Sequence, residues 1–146
     1  MAASITFYNG WKLNISEVVP RTATFKVTLH TSTYTFAATH NVYADLTNEL
    51  STANGYTNTG QALASVTWTQ SGGTATFDAA DLVWTASGGS IVARRAVIRA
   101  VGTFNSLVDP LVASILLDTT PADVTTTTGN TLTLQWNASG IFTLAG

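Results

Sequence analysis

The sequence predicts an all-β domain, a two-sheet sandwich of jelly-roll or Greek-key type. Three observations lead there. Short stretches alternate apolar and polar residues with period two, Gly, Asn, Asp and Ser turns separate them, and threonine makes up about a fifth of the chain. Threonine is β-branched and stiff at χ1, so it suits a half-exposed pleated surface while presenting a neutral hydroxyl to solvent.

In chain order, Ile5 to Tyr8 reads as an amino-terminal strand. From Thr22 to His30, Phe25, Val27 and Leu29 fall on one side and Thr24, Lys26, Thr28 and His30 on the other, the mark of a half-buried strand. Alternation returns in Ala62, Ala64, Val66 and Trp68, and resumes at Ala75 and Phe77 after Ser71-Gly72-Gly73, which predicts a hairpin. Leu82 and Trp84 follow, ended by Ser87-Gly88-Gly89. Between Ile91 and Val101 apolar residues occupy both parities, which predicts a central strand covered on both faces. Leu111 to Leu117 is a further apolar run after Asp109-Pro110, Leu132, Leu134 and Trp136 alternate after Gly129-Asn130, and Ile141 to Leu144 closes the set. About eight or nine strands are expected.

The segment HNVYADLTNELSTANGYTNTGQAL, positions 40–63, fits neither one long helix nor one long strand. Val42, Leu46 and Leu50 lie at i, i+4 and i+8, so the connector admits a short helix before Asn54-Gly55 breaks it. Its polar residues offer little burial against an ordering cost of about 1–2 kcal/mol per residue. The expectation is therefore a contact segment that orders fully only in an assembly, with Tyr43 and Tyr56 as amphipathic anchors. The alternative is a connector that simply crosses its own domain.

Length and composition bound the rest. A chain of 146 residues and 15.3 kDa fits one domain, spanning 1–146. Only 10% of residues are charged and the net charge is −2, which gives no long-range attraction for nucleic acid. With no cysteine there is neither a disulfide framework nor a thiolate metal site. The start MAASITFYNGWKL lacks a basic region followed by a long apolar run, and no eighteen apolar residues are consecutive, so neither export nor membrane insertion is expected.

Candidate chemistry is sparse. His30, on the polar face of its strand, and His40, in a loop, read as exposed polar residues unless they meet a carboxylate in space. Asp78 and Asp81 in FDAAD read as turn residues that bond backbone amides. No nucleophile elbow, Walker loop, dinucleotide fingerprint or paired zinc-histidine motif occurs, so no catalytic residue, cofactor or metal ligand is assigned. Four tryptophans, Trp11, Trp68, Trp84 and Trp136, admit a sugar-stacking platform, but Trp68, Trp84 and Trp136 alternate beside aliphatic residues as core tryptophans do.

Arg94, Arg95 and Arg99 supply half of the positive charge within six residues. They either pair with carboxylates of a neighbouring subunit, as guanidinium forks do, or Arg94 pairs internally with a buried Asp and the others are solvated. Tyr43, Tyr56, Arg95 and Arg99 are the candidate interface residues.

Taken in order, ITFYNGWK, ATFKVTLHTSTYTF, HNVYADLTNEL, NGYTNTGQALA, FDAADLVW, IVARRAVI and TLTLQWNASGIFTLA make the chain resemble, over nearly its whole length, a family of small tailed-bacteriophage virion proteins. The resemblance implies a capsid decoration, or cement, protein: a β-rich domain on the outer surface of an icosahedral shell, with no catalytic residues. It implies the major capsid protein and neighbouring copies of the chain as partners, and neither nucleic acid nor membrane. A neck or tail component and a carbohydrate-binding module for host attachment are the alternatives.

Overall fold

The computed structural model describes residues 3–14, 22–120 and 122–145, with side chains described only to position 11 in the first stretch. The strands are β1 (Ser4–Phe7), β2 (Thr24–His30), β3 (Gln61–Ala62), β4 (Thr67–Ser71), β5 (Thr74–Asp78), β6 (Leu82–Thr85) and β7 (Ile91–Ala93). They continue as β8 (Arg95–Val101), β9 (Thr103–Phe104), β10 (Leu107–Val108), β11 (Leu111–Leu116), β12 (Val124–Thr126), β13 (Thr131–Leu134) and β14 (Phe142–Ala145). One short helix, α1 (Asn9–Asn14), follows β1, and among the described residues no helix is long and apolar enough to cross a membrane.

The protein is nearly all β, with every strand pair antiparallel. One sheet runs β1-β11-β8-β2-β3, placing β8 at its centre as the two-sided apolar run requires. The opposite layer consists of shorter pieces, β14-β5-β4, β13-β6 and β12-β7. Phe25, Val27 and Leu29 from β2, Ala96, Ile98 and Ala100 from β8, and Ala113 and Ile115 from β11 form one core with Phe77, Trp84, Ile91, Leu132 and Phe142. The rings of Phe25 and Phe77 meet edge-on across it with centroids 5.0 Å apart. This packing of one sheet against the other pieces is compatible with a β-sandwich.

Local chemistry explains where the elements fall. The β4–β5 hairpin turns on Gly72-Gly73, with Ser71 facing Thr74 across it, and Gly72 sits at φ +57°. The run from Ile91 to Val101 is not one strand: β7 pairs with β12, β8 pairs with β11 and β2, and Arg94 is the corner at which the chain changes sheets. Around residue 62 the expected alternation slips. Leu63 is buried while Ala62 and Ala64 are exposed, because Ser65 takes a left-handed φ of +53° and resets the phase before Val66 and Trp68.

The second face of the large sheet is also covered. Thr28, His30, Val97, Arg99 and Ser114 point away from the main core, yet all are buried. A second cluster of Tyr8, Tyr34, Val97 and Leu111, with Phe36, Tyr43 and Leu46 packed on it, lies over that face. Most of these covering residues come from the stretch between β2 and β3. The polar positions of β2 are therefore interior, which the two-face alternation alone could not distinguish from a solvated face.

His30 shows the consequence. It is fully buried rather than exposed, with Nδ1 2.9 Å from the Thr47 carbonyl and Nε2 2.9 Å from the Thr28 hydroxyl. A carbonyl only accepts, so Nδ1–H donates to Thr47, and in the neutral imidazole Nε2 accepts from the Thr28 hydroxyl. Burial lowers its pKa from the ordinary 6.5, outweighing the Thr47 contact and the nearby Glu49 charge. Because the unfolded chain takes up this proton at a higher pH than the folded one, unfolding binds a proton as pH falls below about 6.5. Stability should hold above pH 7 and then decline, with a slope of at most about 1.4 kcal/mol per pH unit, before the carboxylates titrate. Urea midpoints from pH 7.5 to 5 measure this, and His30→Gln should flatten the slope; a wild-type profile already flat over that range would refute the assignment.

Candidate functional site

The connector, residues 31–60, is the largest irregular element and carries two of the four candidate interface residues. Backbone bonds fasten it to several parts of the domain. Leu50 N–H donates to Leu29 in β2 at 2.9 Å. Asn9 in α1 donates to Ala38 at 2.9 Å, Leu111 in β11 to Asn41 at 2.9 Å, and Tyr43 to Asp109 at 3.0 Å. At the far end Ser87 donates to Asn54 at 3.2 Å, and the turn at Gly55, φ +88°, brings its Cα so close to the Thr85 carbonyl that a Cβ there would lie 1.9 Å from the oxygen.

The helical spacing of Val42, Leu46 and Leu50 has another origin. Only Tyr43–Asp45 form a single 3-10 turn, with Asp45 Oδ2 accepting from Asn41 N–H at 2.8 Å and Val42 N–H at 3.1 Å. These amide bonds hold the Asp45 carboxyl below the usual carboxylate range. Val42 then bridges to Pro110, Leu46 packs on the outer cluster and Leu50 packs on the main core. The three apolar residues therefore enter separate parts of the fold rather than lining one stripe.

Glu49 is the centre of the arrangement. Its Oε1 accepts from the Tyr56 hydroxyl at 2.6 Å and from Thr59 N–H at 2.7 Å, and its Oε2 accepts from the Tyr43 hydroxyl. Tyr56 OH in turn accepts from Leu29 N–H at 3.1 Å, tying the carboxylate to β2. Arg99 closes the other side. Its guanidinium lies 3.9 Å from the centroid of the Tyr43 ring, donates to the Thr59 carbonyl at 3.1 Å through Nη2, and forms an ion pair with Asp109. Asp109 also accepts from Gly102 N–H at 2.7 Å.

Thr59 is held at φ +80°, a conformation that a β-branched residue seldom adopts. Its N–H on Glu49 and its carbonyl on Arg99 account for the persistence of that strain. Burial and the Glu49 bond push the Tyr43 hydroxyl pKa up to about 12, and burial raises that of Tyr56 further. Both phenols are thus fixed as neutral donors. A carboxylate that already receives three hydrogen bonds, flanked by an arginine matched to its own aspartate, is a structural latch.

This geometry corrects the expectations for the connector. The segment folds onto its own domain, as in the alternative reading, because hydroxyl and amide donors converge on Glu49 and supply what its few apolar residues lack. Tyr56 is 2% exposed and Arg99 4%, so neither presents a surface to a partner in this fold. Tyr43 is half-buried with its hydroxyl committed to Glu49. Neither Arg99 nor Arg95 is simply solvated.

Arg95 differs from the others. Its Nη1 donates to Ser114 Oγ at 3.3 Å and its guanidinium lies 5.5 Å from the centroid of the Phe36 ring, with no carboxylate partner among the described residues. Arg94 pairs with Asp123 at 2.8 Å at the surface, rather than with a buried Asp.

The remaining candidates fall into structural roles. Asp78 accepts from Ala79 N–H at 2.9 Å and Asp81 from Trp136 N–H at 2.9 Å, so both bond backbone amides. Trp11 and Trp84 are buried, and Trp68 and Trp136 half-buried, with Trp136 Nε1 donating to the Ala80 carbonyl at 3.1 Å. His40 reaches the Tyr34 hydroxyl at 3.4 Å, and among the described residues no group of His, Asp and Glu side chains is placed to hold a metal ion.

Glu49 itself was missed in the sequence. The signal available was two carboxylates, Asp45 and Glu49, between two tyrosines in an otherwise uncharged stretch. Compared with protein-family models, with curated proteins and with solved structures, the chain gives no match.

Proposed function

We propose that this protein is a structural virion component that binds and stabilises the outer surface of a tailed-phage capsid, a decoration or cement protein. The ordered set of motifs running from ITFYNGWK to the closing TLTLQWNASGIFTLA carries this reading. Its partners are the major capsid protein and neighbouring copies on the lattice, and its mechanism is burial of surface between subunits rather than chemistry.

The surface suits that mechanism. Val83 and Val92 are 46% and 40% exposed, and Thr85, Thr125, Thr131 and Thr133 are exposed on the strands that carry or pair with them. These outward positions of β6, β13, β7 and β12 carry no charge, so contacts made there gain from apolar burial and hydroxyl bonding and are little screened by salt. Attachment to two capsomers would further raise the effective concentration at the second contact.

Stoichiometry tests the proposal. Quantitative mass spectrometry of purified particles should return many copies, in a fixed ratio to the shell subunit. A count matching a single ring at one vertex would point to the neck or tail instead.

A further inference from the structure

Arg95 is the one described arginine without a carboxylate partner, and it lines a cavity. Arg94 is matched by Asp123 and Arg99 by Asp109. The cavity beside Arg95, about 330 Å³, is walled by Tyr34, Phe36 and Leu116 and rimmed by the exposed hydroxyls of Ser32 and Thr35, with Arg94 at its edge. Among the described residues no acidic one lines it.

The guanidinium is held in place. Ser114, which accepts from Arg95, is fully buried, and the hydroxyl of Tyr34, a wall of the cavity, is fixed 3.0 Å from that of buried Tyr8. Phe36 holds the guanidinium from another side, at 5.5 Å. One of the five N–H donors is committed to Ser114, and among the described residues no other acceptor takes the rest. A preorganised guanidinium loses little freedom when it binds, and its fork matches the two oxygens of a carboxylate.

We propose that this pocket receives an Asp or Glu side chain of the shell subunit beneath, with the carboxylate on Arg95 and the methylene stem against Phe36 and Leu116. Charge complementarity identifies the occupant: a single unmatched cation in an acid-free, partly apolar cavity suits one carboxylate, whereas a phosphate backbone requires several cations along its track. The inference rests on the capsid reading and supplies a specific anchor within the largely neutral contact.

Equilibrium binding of purified protein to undecorated shells tests it with three variants, Arg95→Gln, Arg95→Lys and Thr35→Glu. Arg95→Gln should weaken binding about tenfold or more, and Arg95→Lys should restore only part, because an ammonium lacks the fork. Thr35→Glu places a competing carboxylate at an exposed rim position, touches none of the bonds that hold Arg95, and should weaken binding comparably with an unchanged melting temperature. It keeps the test valid if Arg95→Gln misfolds. Wild type binding the shell while Thr35→Glu and folded Arg95→Gln stay within about twofold of it would overturn the pocket and leave the capsid reading standing. Failure of wild type itself to bind would overturn both.

Discussion

Alanine at Phe77 is expected to lower stability by about 3–5 kcal/mol, the range for removing a buried aromatic ring. Phe77 is fully buried in β5, the middle strand of β14-β5-β4. Its ring lies 5.0 Å from Phe25 in the opposite sheet, 4.7 Å from Trp68 and 5.0 Å from Phe142. Truncation removes the ring that touches all three, and strands fixed by their ladders cannot close over the void. For a chain of this size the melting temperature should fall on the order of 10 °C. Phe77→Leu refills most of the space and should lose well under half as much. Equal losses for Leu and Ala in urea titrations would mean that ring geometry, not volume, dominates the centre of the core.

Alanine at Glu49 should cost about 2–4 kcal/mol, through a different mechanism. It strips the acceptor from two tyrosine hydroxyls and one backbone amide, and hydrogen bonds to a charged group each contribute about 1.5–3 kcal/mol, less where water can replace them. Tyr56 is buried and suffers most, whereas half-buried Tyr43 can recover a water. The loss should be local before it is global. Amide hydrogen exchange in residues 41–60 should accelerate strongly in Glu49→Ala, while β8 and β11, anchored by the main core, keep their protection. Glu49→Gln keeps the shape and part of the acceptor capacity, so its loss should be roughly half. Uniform acceleration across all strands would show that the connector and the sandwich unfold as one unit and that Glu49 is not a separable latch.

How much of this was legible in the sequence depended on whether a residue's partners were near it in the chain. The β4–β5 hairpin and the alternation of Leu82 with Trp84 and Leu132 with Leu134 depend on local turn chemistry and one buried face, and both appear as read. Ala62 and Ala64 were placed inward because a left-handed serine leaves no mark in an alternation count. Arg94 breaks a run that looks continuous, since apolar residues on both parities fit one central strand or two strands in different sheets equally well. His30 and Arg99 were read as surface groups because period two identifies a second face without saying whether another layer covers it. That layer is the connector, whose packing depends on distant partners: Tyr8, Asp109, Leu111 and the β2 backbone. The polar composition of the connector was correctly seen to offer little apolar burial, but the convergence of Tyr43, Tyr56 and Thr59 on one carboxylate exists only in three dimensions. Of the four candidate interface residues, the fold encloses Tyr56 and Arg99, commits the Tyr43 hydroxyl and leaves Arg95 facing an open cavity.

A symmetric cryo-EM reconstruction of the intact particle tests the central proposal most directly. The account predicts density for this sandwich on the outer face of the shell, repeated at equivalent positions between capsomers, with Arg95 facing a carboxylate of the subunit beneath. Density for the chain confined to the neck or tail vertex, or a particle surface without it, would contradict the decoration role.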